Sequence, residues 1–327
     1  MAHALNDCGV KVASLQYGRD IWGGEEGEFM LDFIRALRIP MVATLHDVPA
    51  GPSPLLHSIM NELVDSAAAT IVMSQGAASE MARSYGVTAD RLQVVPHGVP
   101  HLPQVAADTI KPRLGLQGRD VILSFGLLDP GKGCESVLDA MPAVIKAVPT
   151  ALYVILGATE PNCLAGQGDS YRASLEAKIA SLGLGGHVRF VDRFVGRVEL
   201  GNWLEAADVI TTPYLDLSLT VAATLSYAMA AGKPIVSTPY SYATEMLSPD
   251  RGRLVPPNSP KALASTFIEL LGDPNLRAEM GRRTYEHSRG MVWWEIGSRY
   301  RLIFDQAINA SSFAPQPPLR KLATVVA

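Results

Sequence analysis

The stretch GLLDPGKG, residues 126–133, has the residue types of a phosphate-binding loop. Glycines let a backbone approach a ligand closely, and a lysine beside the start of a helix adds charge where an anion is already favoured. The pattern is one residue away from the Walker A loop, G-x-x-x-x-G-K-[ST]. Three features oppose a magnesium-dependent NTPase. Gly133 has no hydroxyl for the metal, Pro130 removes one N–H from the loop, and the next strand, LYVILGA, carries no acid. What remains is a metal-free diphosphate cradle. Gly126, Gly131 and Gly133 would shape its backbone and Lys132 would supply its charge. Taken alone, the stretch also suits a tight turn with an exposed lysine.

Other residues sit where chemistry is possible. His46 ends an apolar run in TLHD, at the carboxyl end of what reads as a parallel strand, where such folds bind ligands. Asp47 either orients it or begins the loop. In SLTVAAT (218–224), backbone N–H groups with Thr220 and Thr224 could meet a phosphate or sugar oxygen. The same residues also suit an N-cap and a core threonine. GGEEG (23–27) opens a helical pattern, so Gly23, Gly24 and Glu25 either line a pocket or simply cap. His97 and His101 are four apart, but Pro96 and Pro100 keep them off a helix, which argues against a metal pair. There is no Asp-x-Asp motif, so a metal-independent site with no cofactor is expected.

The elements that must position these residues alternate. Strands are read at 11–17, 41–46, 70–73 and 92–95, with helices at 25–38, 53–67 and 75–85. An irregular linker covers about 100–114. Strands then follow at 121–125, 152–156, 188–191, 208–211, 234–237 and 252–255, with helices at 133–148, 168–182, 197–206 and 220–231. Near-continuous apolar strands between helices mean parallel sheets covered on both faces, an α/β architecture. Helices at 259–272, 274–287 and 293–309 close the chain, and from Ala310 the sequence reads as a frayed tail.

With 327 residues, two domains are expected, and 48% hydrophobic against 18% charged residues excludes disorder by composition. A net charge of −4 gives no electrostatic case for nucleic acid. Cys8, Cys134 and Cys163 form no metal or disulfide pattern, which suits a reducing cytoplasm. Mean hydropathy of +0.14 is slightly high, from buried parallel strands or from a surface peripheral to a membrane.

The order of SFGLLDPGKG, YVILGA, HVRFVDRF, LEAADVITTPY, ATLSYAMAAGKPIVST and ATEMLSPDRGRLVPP resembles the nucleotide-sugar domain of family 4 retaining glycosyltransferases (group 1), which have the GT-B fold. VATLHD, IVMSQGAASEMARSYGV and LQVVPHGVP resemble the acceptor-side domain of the same family, so the likeness spans about residues 10–305. The resemblance implies two Rossmann-like domains, at 1–108 and 109–290, a crossover helix at 291–310 and a tail at 311–327. It implies transfer of a hexose from a UDP- or GDP-linked sugar to an acceptor hydroxyl, with retention, the acceptor being a sugar, a lipid or a small molecule. Lys132 matches the lysine on the donor diphosphate and His46 the histidine near the reacting sugar. Asp192, Arg193 and Phe194 fall where the nucleobase is held, and Glu245 matches a glutamate facing the donor.

The chain departs from the family pattern in places. Leu127 stands where an arginine is usual, leaving Lys132 to act alone or with Arg193 or Lys233. Leu219 and Tyr227 occupy the positions of the two glutamates that contact the donor sugar and ribose. Tyr227 can still donate one hydrogen bond, but Leu219 cannot replace a carboxylate. These losses keep a second reading open, a non-catalytic nucleotide-sugar or glycan-binding subunit. About two βα units of the first domain are missing by comparison, so an apolar edge strand is expected, and with it either pairing of copies through that edge or poor solubility.

Overall fold

The computed structural model describes residues 1–161, 169–247 and 250–313. Cys163, the expected helix start at 168, part of the ATEMLSPD motif and the tail beyond 313 lie outside them. Among the described residues, two parallel sheets form, each sandwiched between helices.

The first sheet has the order β1 (Ala13–Tyr17), β2 (Met41–Leu45), β3 (Ala69–Val72), β4 (Leu92–Val94). Register runs Ala13 opposite Met41, Val42 opposite Ala69 and Thr70 opposite Leu92. β2 is buried along its whole length, as a strand covered on both faces must be. Leu15, Ala43, Leu45 and Val72 face α2 (Met30–Ala36), α3 (Pro54–Ser66) and α4 (Gln75–Tyr85). Ser53 and Ser74 start α3 and α4 by accepting the N–H of Leu56 and Ala77, each satisfying one orphan donor. On the other face, Val42, Ile71 and Val95 pack under Ile296, Ile303 and Ala307 of α13 (Trp293–Phe313).

The second sheet has six strands: β5 (Asp120–Phe125), β6 (Ala151–Leu156), β7 (Val188–Val191), β8 (Val209–Thr212), β9 (Ile235–Ser237) and β10 (Arg253–Leu254). Their order is β10-β9-β8-β5-β6-β7, which reverses between β5 and β8. Such a switch point leaves a crevice at the carboxyl ends of the strands. One face is covered by α6 (Cys134–Ala147), α7 (Ser170–Ser181), α11 (Pro260–Gly272) and α12 (Pro274–Ser288). The other is covered by α8 (Arg197–Ala206), α9 (Ala223–Ala230) and α10 (Ser241–Met246). The expected α/β arrangement of two parallel sheets is present, but only the second is doubly wound; the first runs in sequential order, with α2, α3 and α4 on one face.

Four local readings are corrected. The helix expected over 25–38 is a 3-10 turn at Glu25–Gly27 followed by α2. Tyr17 Oη donates to the Glu26 carbonyl at 2.7 Å and Glu26 sits at φ 58°, so the chain is pulled onto the strand end before α2 begins. The helix expected at 220–231 starts only at Ala223, because the Thr220 carbonyl accepts the Ser74 hydroxyl at 2.6 Å. The linker contains α5 (Ala107–Ile110) and a 3-10 turn to Leu114, anchored where Lys111 Nζ meets both Asp208 oxygens at 3.0 and 2.8 Å. β1 is an edge strand as expected, paired among the described residues with β2 alone, but its exposed positions are not apolar. Ala13, Leu15 and Tyr17 point into the core, and the exposed alternates are Ser14 and Gln16. α10 and α1 (Ala2–Asp7) were not anticipated; Asn6 ties α1 to α2 through the Ala36 carbonyl and the Arg38 N–H.

Both members of the Lys111–Asp208 pair are nearly buried, and Asp208 also accepts the Val121 N–H at 2.7 Å. Asp208→Ala strands a buried ammonium and should cost about 3–5 kcal/mol in urea unfolding. A loss under about 1 kcal/mol would show that Lys111 reaches water.

Candidate functional site

The loop after β5 meets the loop after β8 at the switch point. Gly133 has φ 65°, and a Cβ there would collide with the Pro213 carbonyl oxygen. Leu215 N–H donates to the Gly131 carbonyl at 2.9 Å, fastening the two loops. Gly126 has φ 116°, and a Cβ on it would lie 3.2 Å from Thr224 Cγ2, so the start of α9 closes over β5. Lys132 Nζ lies 4.5 Å from the centre of the Tyr214 ring and 3.5 Å from Asp129 Oδ2. Asp129 also accepts the Gly131 N–H at 2.7 Å. Tyr214 Oη and Thr224 Oγ1 are 2.6 Å apart, and the Tyr214 ring stacks on Tyr240. Lys132, Gly126, Leu127, Cys134 and Tyr214 line a cavity of about 20 Å³, room for one water. Burial raises the Tyr214 phenol and pushes the Cys134 thiol up to about 12, so both stay neutral and Cys134 is no nucleophile. The structure thus gathers Gly126, Gly131, Lys132, Gly133 and Thr224 into one cluster.

Several expected donor contacts lie elsewhere. Leu219 packs against the core, and Thr220 is buried with its carbonyl occupied by Ser74. Tyr227 stands with its ring 6.3 Å from His97 and lines a separate cavity of about 60 Å³ with Pro100, Leu102, Arg197 and Trp293. Glu245, expected to face the donor, lies at the boundary with the first domain. Its carboxylate reaches from the second domain to the first and accepts the N–H groups of Gln75 (3.0 Å) and Gly76 (2.9 Å) at the start of α4. A helix N-terminus carries partial positive charge and unpaired donors, so a carboxylate is favoured there. Asp192 is paired with the buried Arg172 at 2.5 Å, and Phe194 is 85% exposed. Neither auxiliary cation is free to help Lys132. Arg193 pairs with Glu199 on the surface. Lys233 precedes β9, at the amino end of the sheet, and donates to the Glu205 carbonyl at 2.6 Å. Burial lowers its pKa to about 8.

The first domain offers His46, just past β2. Its backbone N–H donates to the Tyr17 carbonyl at 2.9 Å, and Nε2 lies 2.7 Å from Gln16 Oε1. Asp47 does not orient it. That carboxylate is taken by Arg19, at 2.9 Å from Nε and 2.8 Å from Nη2. Gly23 and Gly24 lie in the same β1–α2 loop, under the Phe29 ring, and Glu25 opens the 3-10 turn. His97 follows β4, donates from Nδ1 to the Gly98 carbonyl at 2.8 Å, and packs on Trp293. Burial lowers the pKa of both imidazoles, and the charge of His46 lowers that of His97 further. Gln16 is a residue that motif reading passed over, and His97 was weighed only as half of a metal pair. Gln16 gave no signal beyond being one of two polar alternates of β1, with Ser14, whereas His97 stands just past the end of β4.

Because both imidazoles are depressed in the folded protein, the unfolded chain binds more protons as pH drops through about 6.5. Their contribution is therefore present above that pH and lost below it. The thermal midpoint should fall between pH 7 and pH 5, and His97→Asn should flatten that slope; an unchanged slope would remove His97 from the account. Glu245→Ala should cost about 1 kcal/mol in urea unfolding through the lost cap, and no loss would make the bridge between domains incidental.

Comparison with known proteins agrees with this geometry. The family model "Glycosyl transferases group 1" matches residues 107–287, and "Glycosyltransferase Family 4" matches residues 26–101. A D-inositol 3-phosphate glycosyltransferase of Jonesia denitrificans is 25% identical over 84% of this chain and 68% of its own length. One from Xylanimonas cellulosilytica is 29% identical over 82% and 67%. Among solved structures, HepE of Anabaena in complex with UDP superposes with a TM-score of 0.72 at 20% identity, over 87% of this chain and 76% of its own. Sucrose-phosphate synthase of Thermosynechococcus elongatus gives 0.78 at 20% identity, over 94% and 76%. Two parallel sheets with the glycine-and-lysine loop at the switch point of the second, matched in sequence along most of their length, make the chain a member of the family 4 (group 1) glycosyltransferases with the α/β GT-B fold.

Proposed function

We propose that this glycosyltransferase moves a hexose from a UDP- or GDP-linked sugar to an acceptor hydroxyl, with retention and without a metal ion. The observation that carries this reading is the Lys132 cluster. One ammonium, glycine backbone and the start of α6 converge at the carboxyl end of β5. There they would stabilise the leaving diphosphate as its charge grows, a preorganised electrostatic effect. His46, kept neutral by burial, stands at the carboxyl end of the first sheet, on the acceptor side. The acceptor hydroxyl attacks the anomeric carbon, the bond to phosphate breaks, and the departing phosphate oxygen takes the hydroxyl proton. Sugar transfer by the curated relatives and the UDP held by HepE support this donor class.

Lys132→Ala should lower transfer by about 10²–10³-fold, assayed over UDP-, GDP- and ADP-sugars with and without EDTA. Full activity of the variant would overturn the assignment, and loss of activity in EDTA would overturn metal independence. Leu127, Leu219 and the placement of Tyr227 favour a second reading, a nucleotide-sugar-binding subunit without turnover. Thermal stabilisation by a nucleotide sugar with no product from any donor would select it.

A further inference from the structure

We propose that Gln16 is the positioning residue of His46. It fixes the imidazole as its Nε2–H tautomer and aims Nδ1 as a free acceptor. The inference deepens the proposed site and rests on His46 acting there. Three observations and one chemical rule carry it. Gln16 Oε1 lies 2.7 Å from His46 Nε2. The amide nitrogen of Gln16 points at two hydroxyls, Ser14 Oγ at 3.0 Å and Thr44 Oγ1 at 3.5 Å, which leaves the oxygen for the imidazole. An amide oxygen only accepts, so the ring nitrogen facing it must carry the proton. The carboxylate adjacent in sequence, Asp47, is committed to Arg19 and is not available for this role.

The arrangement does not end at Gln16. Thr44 Oγ1 is 3.0 Å from Tyr300 Oη on α13, and burial holds that phenol in its neutral form. A line of contacts therefore runs from the crossover helix through Thr44 and Gln16 to His46. Gln16 and Thr44 are register partners on adjacent strands, β1 and β2, so the side chains meet without any loop having to order. A ring held from the sheet itself is better fixed than one held from a loop.

The test separates this inference from the reaction. In the ¹⁵N-labelled protein without substrate, His46 should give a hydrogen-bonded imidazole Nε2–H resonance. That resonance should vanish in Gln16→Leu and return in Gln16→Glu, which keeps an acceptor at similar reach. It should persist in Asp47→Asn. Gln16 is exposed, so these variants should keep the wild-type thermal midpoint. UDP release from UDP-glucose, or GDP release from GDP-mannose, should then fall about tenfold or more in kcat for Gln16→Leu, with KM for the donor within about twofold. A hydrogen-bonded N–H that survives Gln16→Leu, or one that sits on Nδ1, overturns the inference. If the resonance behaves as stated but no donor is turned over, positioning by Gln16 stands and the transfer reaction fails.

Discussion

The close backbone contact at the switch point of the second sheet sets the geometry of the rest. Gly133 lies against the Pro213 carbonyl, and a Cβ on Gly157 would strike the Gly126 carbonyl oxygen. Both contacts forbid a side chain at the point of approach, and both glycines have positive φ. The loops after β5, β6 and β8 can therefore sit one on another, bringing Lys132 over Tyr214 and Thr224 beside Gly126. Any larger residue would push these loops apart and open the anion cradle to water, where a single ammonium counts for little.

The electrostatics of that cradle are provisional in a useful sense. Lys132 rests between a carboxylate and an aromatic face, and neither is a strong competitor for a diphosphate. The Asp129 contact is long, at 3.5 Å, and the cation–π contact is one-third exposed on the lysine side. If the proposed diphosphate displaced Lys132 from Asp129, that carboxylate would not be orphaned, since it also caps the Gly131 N–H. Glu245 serves a different purpose. Its carboxylate accepts from the first turn of α4 and so ties the second domain to the first.

Much of this was legible in the sequence, and what was missed has physical reasons. Buried strands such as ALYVIL declare themselves by being apolar throughout. The Lys132 loop was readable because its chemistry is local. The roles of Asp47, Glu245 and Tyr227 were not, since each depends on a partner distant in the chain: Arg19, the start of α4 and His97. The break at Glu26 was hidden for the same reason, because the Tyr17 hydroxyl that imposes it sits on a different element. Gln16 was invisible to motif reading, because a polar residue at an alternate strand position ordinarily faces water.

α13 has one more consequence. It lays Ile296, Ile303 and Ala307 on Val42, Ile71 and Val95, closing a face of the first sheet with residues made some two hundred positions later. A chain emerging from the ribosome can pair β1 to β4 early, but it must carry an uncovered apolar face until the second domain has been synthesised. The first domain is thus the first to form and the last to be finished, and its exposure during synthesis is set by the speed of translation, not by its own folding rate.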